Sequence, residues 1–313
     1  MNLFGQTRSE VLETLHSVTS STVPAFRATQ VAEWLYGKHV ESVHEMTNLP
    51  KDLRSLLARA ASIRTVLPGS ESMSVDGTRK HLWPAFGGDV CESALIPEAN
   101  RLTLCVSSQA GCRVGCRFCL TARKGLKQSL SPAEILSQYR NLPSRDDVTH
   151  FVFMGMGEPL DNVEAVLASL EILTSPWGYG ISPRRITVST VGFLPELERL
   201  LDESRVNIAI SMHAARREVR LPLVPSENRH PIKSIVDLLR QRAELALPPF
   251  TATGRRRLSF EITMLRDIND SPEEAAAVRD LIAGIPARVN LIPWNPFPGT
   301  SFRPSPRTAI ENY

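Results

Sequence analysis

Cysteine is scarce in this 313-residue sequence: there are five, and none follows Cys119. So few in so long a chain argue against a disulfide framework. No apolar run is long enough to cross a bilayer, and the first ten residues hold no signal-peptide hydrophobic segment. The expectation is a soluble protein of the reducing cytoplasm with no membrane contact. Internal repeats and low-complexity tracts are also missing. The net charge of +3 is too small to imply nucleic acid by itself, while an apolar share of 42% is ample for a core. These bounds fit one large domain and a small companion.

Three of the five cysteines, Cys112, Cys116 and Cys119, fall within residues 111–121, G-C-R-V-G-C-R-F-C-L-T. Thiolates spaced C-x3-C-x2-C on one loop suit three corners of a cuboidal iron–sulfur cluster. No fourth cysteine follows in register, so one iron stays open to a ligand, as a reaction centre requires. A structural zinc site would normally be closed by a fourth Cys or His at short spacing, and the next histidine is the distant His150. With Phe118 before the last cysteine, the motif resembles that of radical S-adenosylmethionine (SAM) enzymes. The resemblance implies a 4Fe–4S cluster whose open iron is chelated by SAM, which is then cleaved to a 5′-deoxyadenosyl radical.

Acidic residues are absent between Arg101 and Glu134, whereas Arg101, Arg113, Arg117, Arg123, Lys124 and Lys127 lie there or at its edge. Further basic groups are Arg184–Arg185, Arg216, Arg217 and Arg220, and Arg255–Arg257. Any one such group reads as a solvated loop. Their concentration around the cysteines points to a polyanionic substrate, RNA.

Residues 1–65 read as a helical accessory domain. Ser9 is the expected cap of its first helix, 26–38 is helical, and Asn48 begins a helix over 52–61. Residues 66–97 read as a small β segment with a turn at Asp76–Gly77. From residue 98 to 313, strand and helix alternate about six times, with strands near 102–109, 150–155, 185–191, 207–213, 257–265 and 288–293. Helices are expected at 131–142, 162–173, 195–202, 235–245 and 272–285. The fold class is α/β, a partial (βα)6 barrel with its chemistry at the C-terminal strand ends.

Those strand ends carry the remaining motifs. Met154-Gly155-Met156-Gly157-Glu158-Pro159 has two glycines that let backbone approach a ligand, and a carboxylate suited to an ammonium group. Read alone, it is a plain glycine turn opening a helix. Ser189 and Ser211 offer hydroxyls. His213 reads equally as a ligand-facing imidazole or as a core histidine held by backbone. Asn295, between prolines, is suited to recognising adenine or ribose.

In order along almost the whole chain stand F-R-A-T-Q-V-A-E-W-L-Y, M-T-N-L-P, D-G-T-R-K, C-V-S-S-Q-A-G-C, F-M-G-M-G-E-P, V-S-T-V-G, S-M-H and N-L-I-P-W-N-P-F-P-G. Together they resemble the RlmN/Cfr-type radical SAM RNA methyltransferases. The resemblance implies that Cys112, Cys116 and Cys119 hold the cluster, and that Gly157, Glu158, Ser189, Ser211, Met212, His213 and Asn295 line the SAM site. It assigns Glu92 as proton acceptor and Cys105 to resolving a protein–RNA adduct through a transient disulfide. It implies RNA contact by the helical N-terminal part, an electron donor such as a flavodoxin-type protein, and a monomer. Its chemistry is methylation of adenine C2 in large-subunit ribosomal RNA, and in tRNA, by way of a methylated C-terminal cysteine.

No such cysteine follows N-P-F-P-G here, and residues 308–313 read as the start of a helix with no stop signal. The expectation is a chain missing its last segment, able to bind cluster and SAM but not to complete methyl transfer. Cys91 has no family counterpart and is expected to be buried and inert. A C8-methylating relative and a non-methylating RNA-binding or SAM-cleaving paralogue stand as alternatives.

Overall fold

The computed structural model describes residues 1–19, 22–242 and 256–313. Arg255 of the basic run, and the last residues of the helix expected at 235–245, lie outside the described residues.

The N-terminal part holds three helices, α1 (Arg8–Thr19), α2 (Phe26–Ala32) and α3 (Lys51–Ala60), with α2 continuing into a wider π turn at Glu33–Gly37. The cap of α1 is Thr7 rather than Ser9. The Thr7 N–H donates to Glu10 at 2.7 Å, and the Glu10 N–H to Thr7 Oγ1 at 3.4 Å, a reciprocal box that satisfies otherwise orphaned helix-end donors.

Among the described residues eleven strands follow, nine of them in one sheet ordered β1-β2-β3-β4-β7-β8-β9-β10-β11. The segment expected as a small β unit is β1 (Ser70–Met73), β2 (Arg79–Pro84) and β3 (Val90–Glu98), antiparallel to one another; β3 also pairs antiparallel with β4 (Arg101–Cys105). From β4 the sheet is parallel through β7 (His150–Phe153), β8 (Ile186–Thr190), β9 (Asn207–Ser211), β10 (Leu258–Met264) and β11 (Arg288–Pro293). Parallel neighbours need crossovers. These are supplied by α5 (Pro132–Arg140), α6 (Val163–Thr174), α7 (Leu194–Glu203), α9 (Ile232–Gln241) and α10 (Pro272–Ile282). The chain thus builds a (βα)6 barrel, left open because β4 and β11 do not pair.

Two short elements escaped the periodicity: α4 (Leu120–Arg123) after the cysteines and α8 (Arg217–Leu223) after β9. A two-stranded ladder, β5 (Gln109–Ala110) with β6 (Gln128–Ser129), clamps the base of the cysteine loop. The chain ends in α11 (Arg307–Asn312).

One hydrophobic core runs from Leu3, Leu15 and Tyr36 in the N-terminal part to Phe151, Val188, Ile208 and Phe260 on the barrel strands. Buried Arg140 of α5 ties the two parts together, donating to the carbonyls of Leu35, His39 and Val40 at 3.2, 2.9 and 2.8 Å. A second cluster lies over the strand ends: Val114 and Phe118 of the cysteine loop pack with Val191, Leu223, Leu265 and Trp294. Among the described residues no helix is long and apolar enough to cross a membrane.

Candidate active site

The cysteine loop begins where β4 gives way to the clamp. Gly111 has φ +82°, and a Cβ there would meet the Gly125 carbonyl oxygen at 1.9 Å, so only glycine lets the two strands of the loop close. The loop is then held by backbone: the Cys112 N–H donates to Gly125 O at 3.2 Å, Arg117 N–H to Leu223 O at 3.0 Å and Cys119 N–H to Cys116 O at 3.1 Å. The Trp294 indole donates to Phe118 O at 2.9 Å, and Arg123 to the carbonyls of Pro298 and Gly299 at 3.2 and 2.5 Å. The exit of β11 is thereby fastened to the loop from the far side of the barrel.

Cys112, Cys116 and Cys119 line one cavity of about 240 Å³ at the C-terminal strand ends, with Gly157, Glu158, Ser189, Ser211, His213 and Glu261. All five cysteines of the chain are free thiols, so no disulfide involves Cys105. Among the described residues no three His, Cys, Asp or Glu side chains stand close enough to chelate a single ion. The three thiols line the wall of one and the same cavity. Burial pushes the Cys112 thiol up to about 12, and Cys116 higher still. Such thiols stay protonated unless a cationic centre takes the thiolates.

The Gly155 and Gly157 turn is shaped first by the protein itself. A Cβ on Gly155 would meet Val106 O at 2.7 Å, and one on Gly157, at φ +104°, would meet Gln109 Cβ at 2.6 Å. The close approach expected of a ligand is thus made to the exit of β4. Glu158 is buried, and its carboxylate accepts from Thr190 Oγ1 at 2.5 Å and from the N–H groups of Val191 and Leu160, both at 3.0 Å. Burial nevertheless pushes its carboxyl up to about 7. Glu158 therefore brackets the exits of β7 and β8 while one edge faces the cavity.

Ser189 and Ser211 bring their hydroxyls to 3.3 Å across β8 and β9. His213 is held by backbone and also lines the cavity. Its Nδ1 accepts from the Thr263 N–H at 3.2 Å, and its ring lies edge-on to Phe118 at 4.6 Å while lining the cavity. A ring accepting at Nδ1 carries its proton on Nε2. Burial, then the Arg220 charge, lowers its pKa to about 3, so it is neutral at working pH.

Four of the expected residues stand outside this cavity's wall. Met212 is fully buried in the main core, and Asn295 is exposed beside Trp294. Cys105 lies on β4 opposite Ala94 of β3, and Glu92 is two residues from Ala94. Strand alternation sets all three on one face. Burial pushes the Cys105 thiol up to about 11. Glu92 keeps a 35% exposed side chain, with Lys80 Nζ at 3.1 Å. Cys91 is buried on the opposite face, its thiol pushed up to about 12 by burial.

Sequence reasoning missed the residues that position the others. Arg220 is completely buried; it donates to Met212 O at 2.8 Å, Ser211 O at 3.2 Å and Val191 O at 3.3 Å, and is paired with buried Glu227. Gln109 accepts from the Glu158 N–H at 3.0 Å and donates to Asp161 at 2.8 Å. The basic groups near the cysteines also divide. Arg113 is paired with Asp161, Arg216 with Glu274 and Arg217 with Glu227, so these act within the protein.

The geometry agrees with what known proteins show. Residues 106–277 match the model of the radical SAM superfamily, and residues 1–63 that of the ribosomal RNA large subunit methyltransferase N-terminal domain. A probable dual-specificity RNA methyltransferase RlmN from Parabacteroides distasonis is 42% identical over 303 residues, covering 96% of this chain and 86% of the relative. The dual-specificity RNA methyltransferase RlmN of Alkalilimnicola ehrlichii is 41% identical over 293 residues, covering 92% of this chain and 79% of that protein. The crystal structure of a radical SAM methyltransferase from Sphaerobacter thermophilus superposes with a TM-score of 0.85 at 35% identity, covering 99% of this chain and 90% of that one. A three-thiol cavity at the strand ends of an open (βα)6 barrel, with relatives of this similarity across both parts, establishes that the chain belongs to the RlmN family of the radical SAM superfamily, which works with a 4Fe–4S cluster and SAM.

Proposed function

We propose that the chain is a radical SAM methyltransferase acting on C2 of an adenosine in large-subunit ribosomal RNA, and in tRNA, by chemistry that runs through a methylated cysteine which is none of the five cysteines placed above. One observation carries the reading: three free thiols share a single cavity with Glu158, Ser189, Ser211 and His213, in a chain whose relatives are named dual-specificity RNA methyltransferases. In this reading Cys112, Cys116 and Cys119 hold the cluster, which supplies the electron that makes SAM a radical source. Gly157, Glu158 and the two serine hydroxyls orient SAM, neutral His213 presents Nε2–H to it, and Asn295 and the Met212 backbone complete the site. An electron-poor adenine carbon is a poor nucleophile, which is why a radical is needed.

Glu92 is the proposed proton acceptor and Cys105 the thiol that resolves the RNA adduct. Their place on one face of adjacent strands supports the pairing. The electron comes from a flavodoxin-type donor, and the protein works as a cytoplasmic monomer.

The test is nucleoside analysis of ribosomal RNA and tRNA from cells with and without the gene. 2-Methyladenosine present in the first and lost in the second is the expected result. Loss of 8-methyladenosine instead would assign the C8 branch, and an unchanged nucleoside profile would leave a SAM-cleaving or RNA-binding role.

A further inference from the structure

The barrel has a second mouth, at the opposite end of its parallel strands from the cysteine loop. Arg101, Arg184, Arg185, Arg257, Arg288 and His150 line a cavity there of about 280 Å³. Their positions in the chain explain the gathering. Arg101 opens β4, His150 opens β7, Arg184 and Arg185 directly precede β8, Arg257 precedes β10, and Arg288 opens β11. Parallel strands all start at one end, so residues far apart in sequence are brought to one rim.

All five arginines are exposed. Glu98 is the carboxylate at this rim, and it pairs with Arg101 at 2.5 Å. Deeper in, Glu261 accepts from Ser259 at 2.7 Å and Asn290 at 2.9 Å. Among the described residues Arg184, Arg185, Arg257 and Arg288 form no ion pair, unlike Arg113, Arg216, Arg217 and Arg220 near the cysteine loop. The strand starts therefore gather at one mouth four arginines that no carboxylate among the described residues neutralises. The His150 ring is held below its ordinary pKa by burial and then by Arg101, Arg185 and Arg257, which reports the same field.

The mouth adjoins the site. Met154 and Glu261 each line both this cavity and the cysteine cavity. From Arg257 to Glu261 is four residues of strand, about 13 Å at 3.3 Å per residue.

We propose that RNA enters through this mouth, with its backbone phosphates gripped by the arginines and one flipped-out nucleotide reaching up the lumen toward Ser211 and His213. The chemistry is that of a phosphodiester: the guanidinium fork matches phosphate oxygens, and a base modified inside a barrel has to leave its stack. The inference rests on the RNA-modifying reading above and adds where the substrate is held.

The test is the salt dependence of binding, followed by fluorescence anisotropy under anaerobic conditions. The probe is a short RNA hairpin with an unpaired adenosine in its loop, and the protein is the full chain with its cluster reconstituted. The variants are R257Q/R288Q and R184Q/R185Q; the control is R279Q, whose arginine lies on α10 beside Asp280. Each lost phosphate contact flattens the slope of log affinity against log salt by about 1. Each mouth pair is thus expected to flatten it by about 1 to 2 and to weaken low-salt binding at least about tenfold. R279Q should match the parent protein, and SAM binding measured by equilibrium dialysis should be equal in all, which shows the fold intact. Equal slopes in parent and mouth variants overturn the inference and leave the functional reading standing. Inorganic phosphate that binds the parent but not the variants, with RNA slopes unchanged, assigns the mouth to a free phosphate and also overturns RNA entry. A parent protein that binds no RNA at low salt sinks the RNA reading itself.

Discussion

Thr190 Oγ1 donates to the buried Glu158 carboxylate at 2.5 Å and accepts from the Gly192 N–H at 2.9 Å. One hydroxyl thus joins the glycine turn after β7 to the exit of β8, and two of the stretches read separately in the sequence become one wall of the cavity. Thr190→Val keeps the shape and removes the hydroxyl. A buried carboxylate left short of a donor costs about 1–3 kcal/mol. The expected result is a lower urea midpoint with an unchanged m-value and weaker SAM binding, while Thr190→Ser should retain both.

The neutral state of His213 has a consequence for pH. Its folded pKa is about 3 against an ordinary value of 6.5, so below pH 6.5 the unfolded chain binds a proton that the native one does not. Stability is then fully present above about 6.5 and falls as pH drops toward 3, by about 1.4 kcal/mol per unit. Glu158 works in the opposite sense. Its raised carboxyl favours the folded state at low pH, and that contribution fades between the ordinary value of 4.5 and about 7. His213→Asn should therefore show a flatter loss of stability on acidification than the parent, read from urea midpoints between about pH 5 and pH 7.5. Parallel curves would show that His213 is not held neutral.

Arg220 and Glu227 form a fully buried pair that gathers the carbonyls after β8 and β9. Removing one partner strands a buried charge, a loss of about 3–5 kcal/mol. Arg220→Met is expected to fall in that range by chemical denaturation. The double variant Arg220→Met with Glu227→Leu should recover part of the stability but not the SAM affinity, because the strand ends lose their common donor.

Gly111→Ala tests the loop that carries the cysteines. The added Cβ meets Gly125 O at 1.9 Å on a backbone with φ +82°, so the loop must open. The protein should stay folded by circular dichroism while its iron and sulfide content after reconstitution falls well below that of the parent. Gly284→Ala is a matched control, at φ +80° but with nothing within 4 Å of the new Cβ, and should leave iron content unchanged.

The local pattern of this chain determined a great deal. Alternation of short apolar runs with amphipathic stretches was enough for six strands with crossover helices, because period and length are properties of the chain itself. The C-x3-C-x2-C spacing carried the cluster reading for the same reason: its three ligands lie within one loop. Tertiary structure decided which groups meet. Glu158 is 32 residues from the hydroxyl it accepts from, and Arg220 serves carbonyls on two different strand exits, pairings that no local signal announces. It decided too that Gly155 and Gly157 yield to the protein's own β4 exit, and that Met212 points into the core. Charge was the least legible feature. A run of arginines reads alike whether it neutralises carboxylates or faces solvent, and only the parallel order of the strands gathers Arg101, Arg184, Arg185, Arg257 and Arg288 at one mouth.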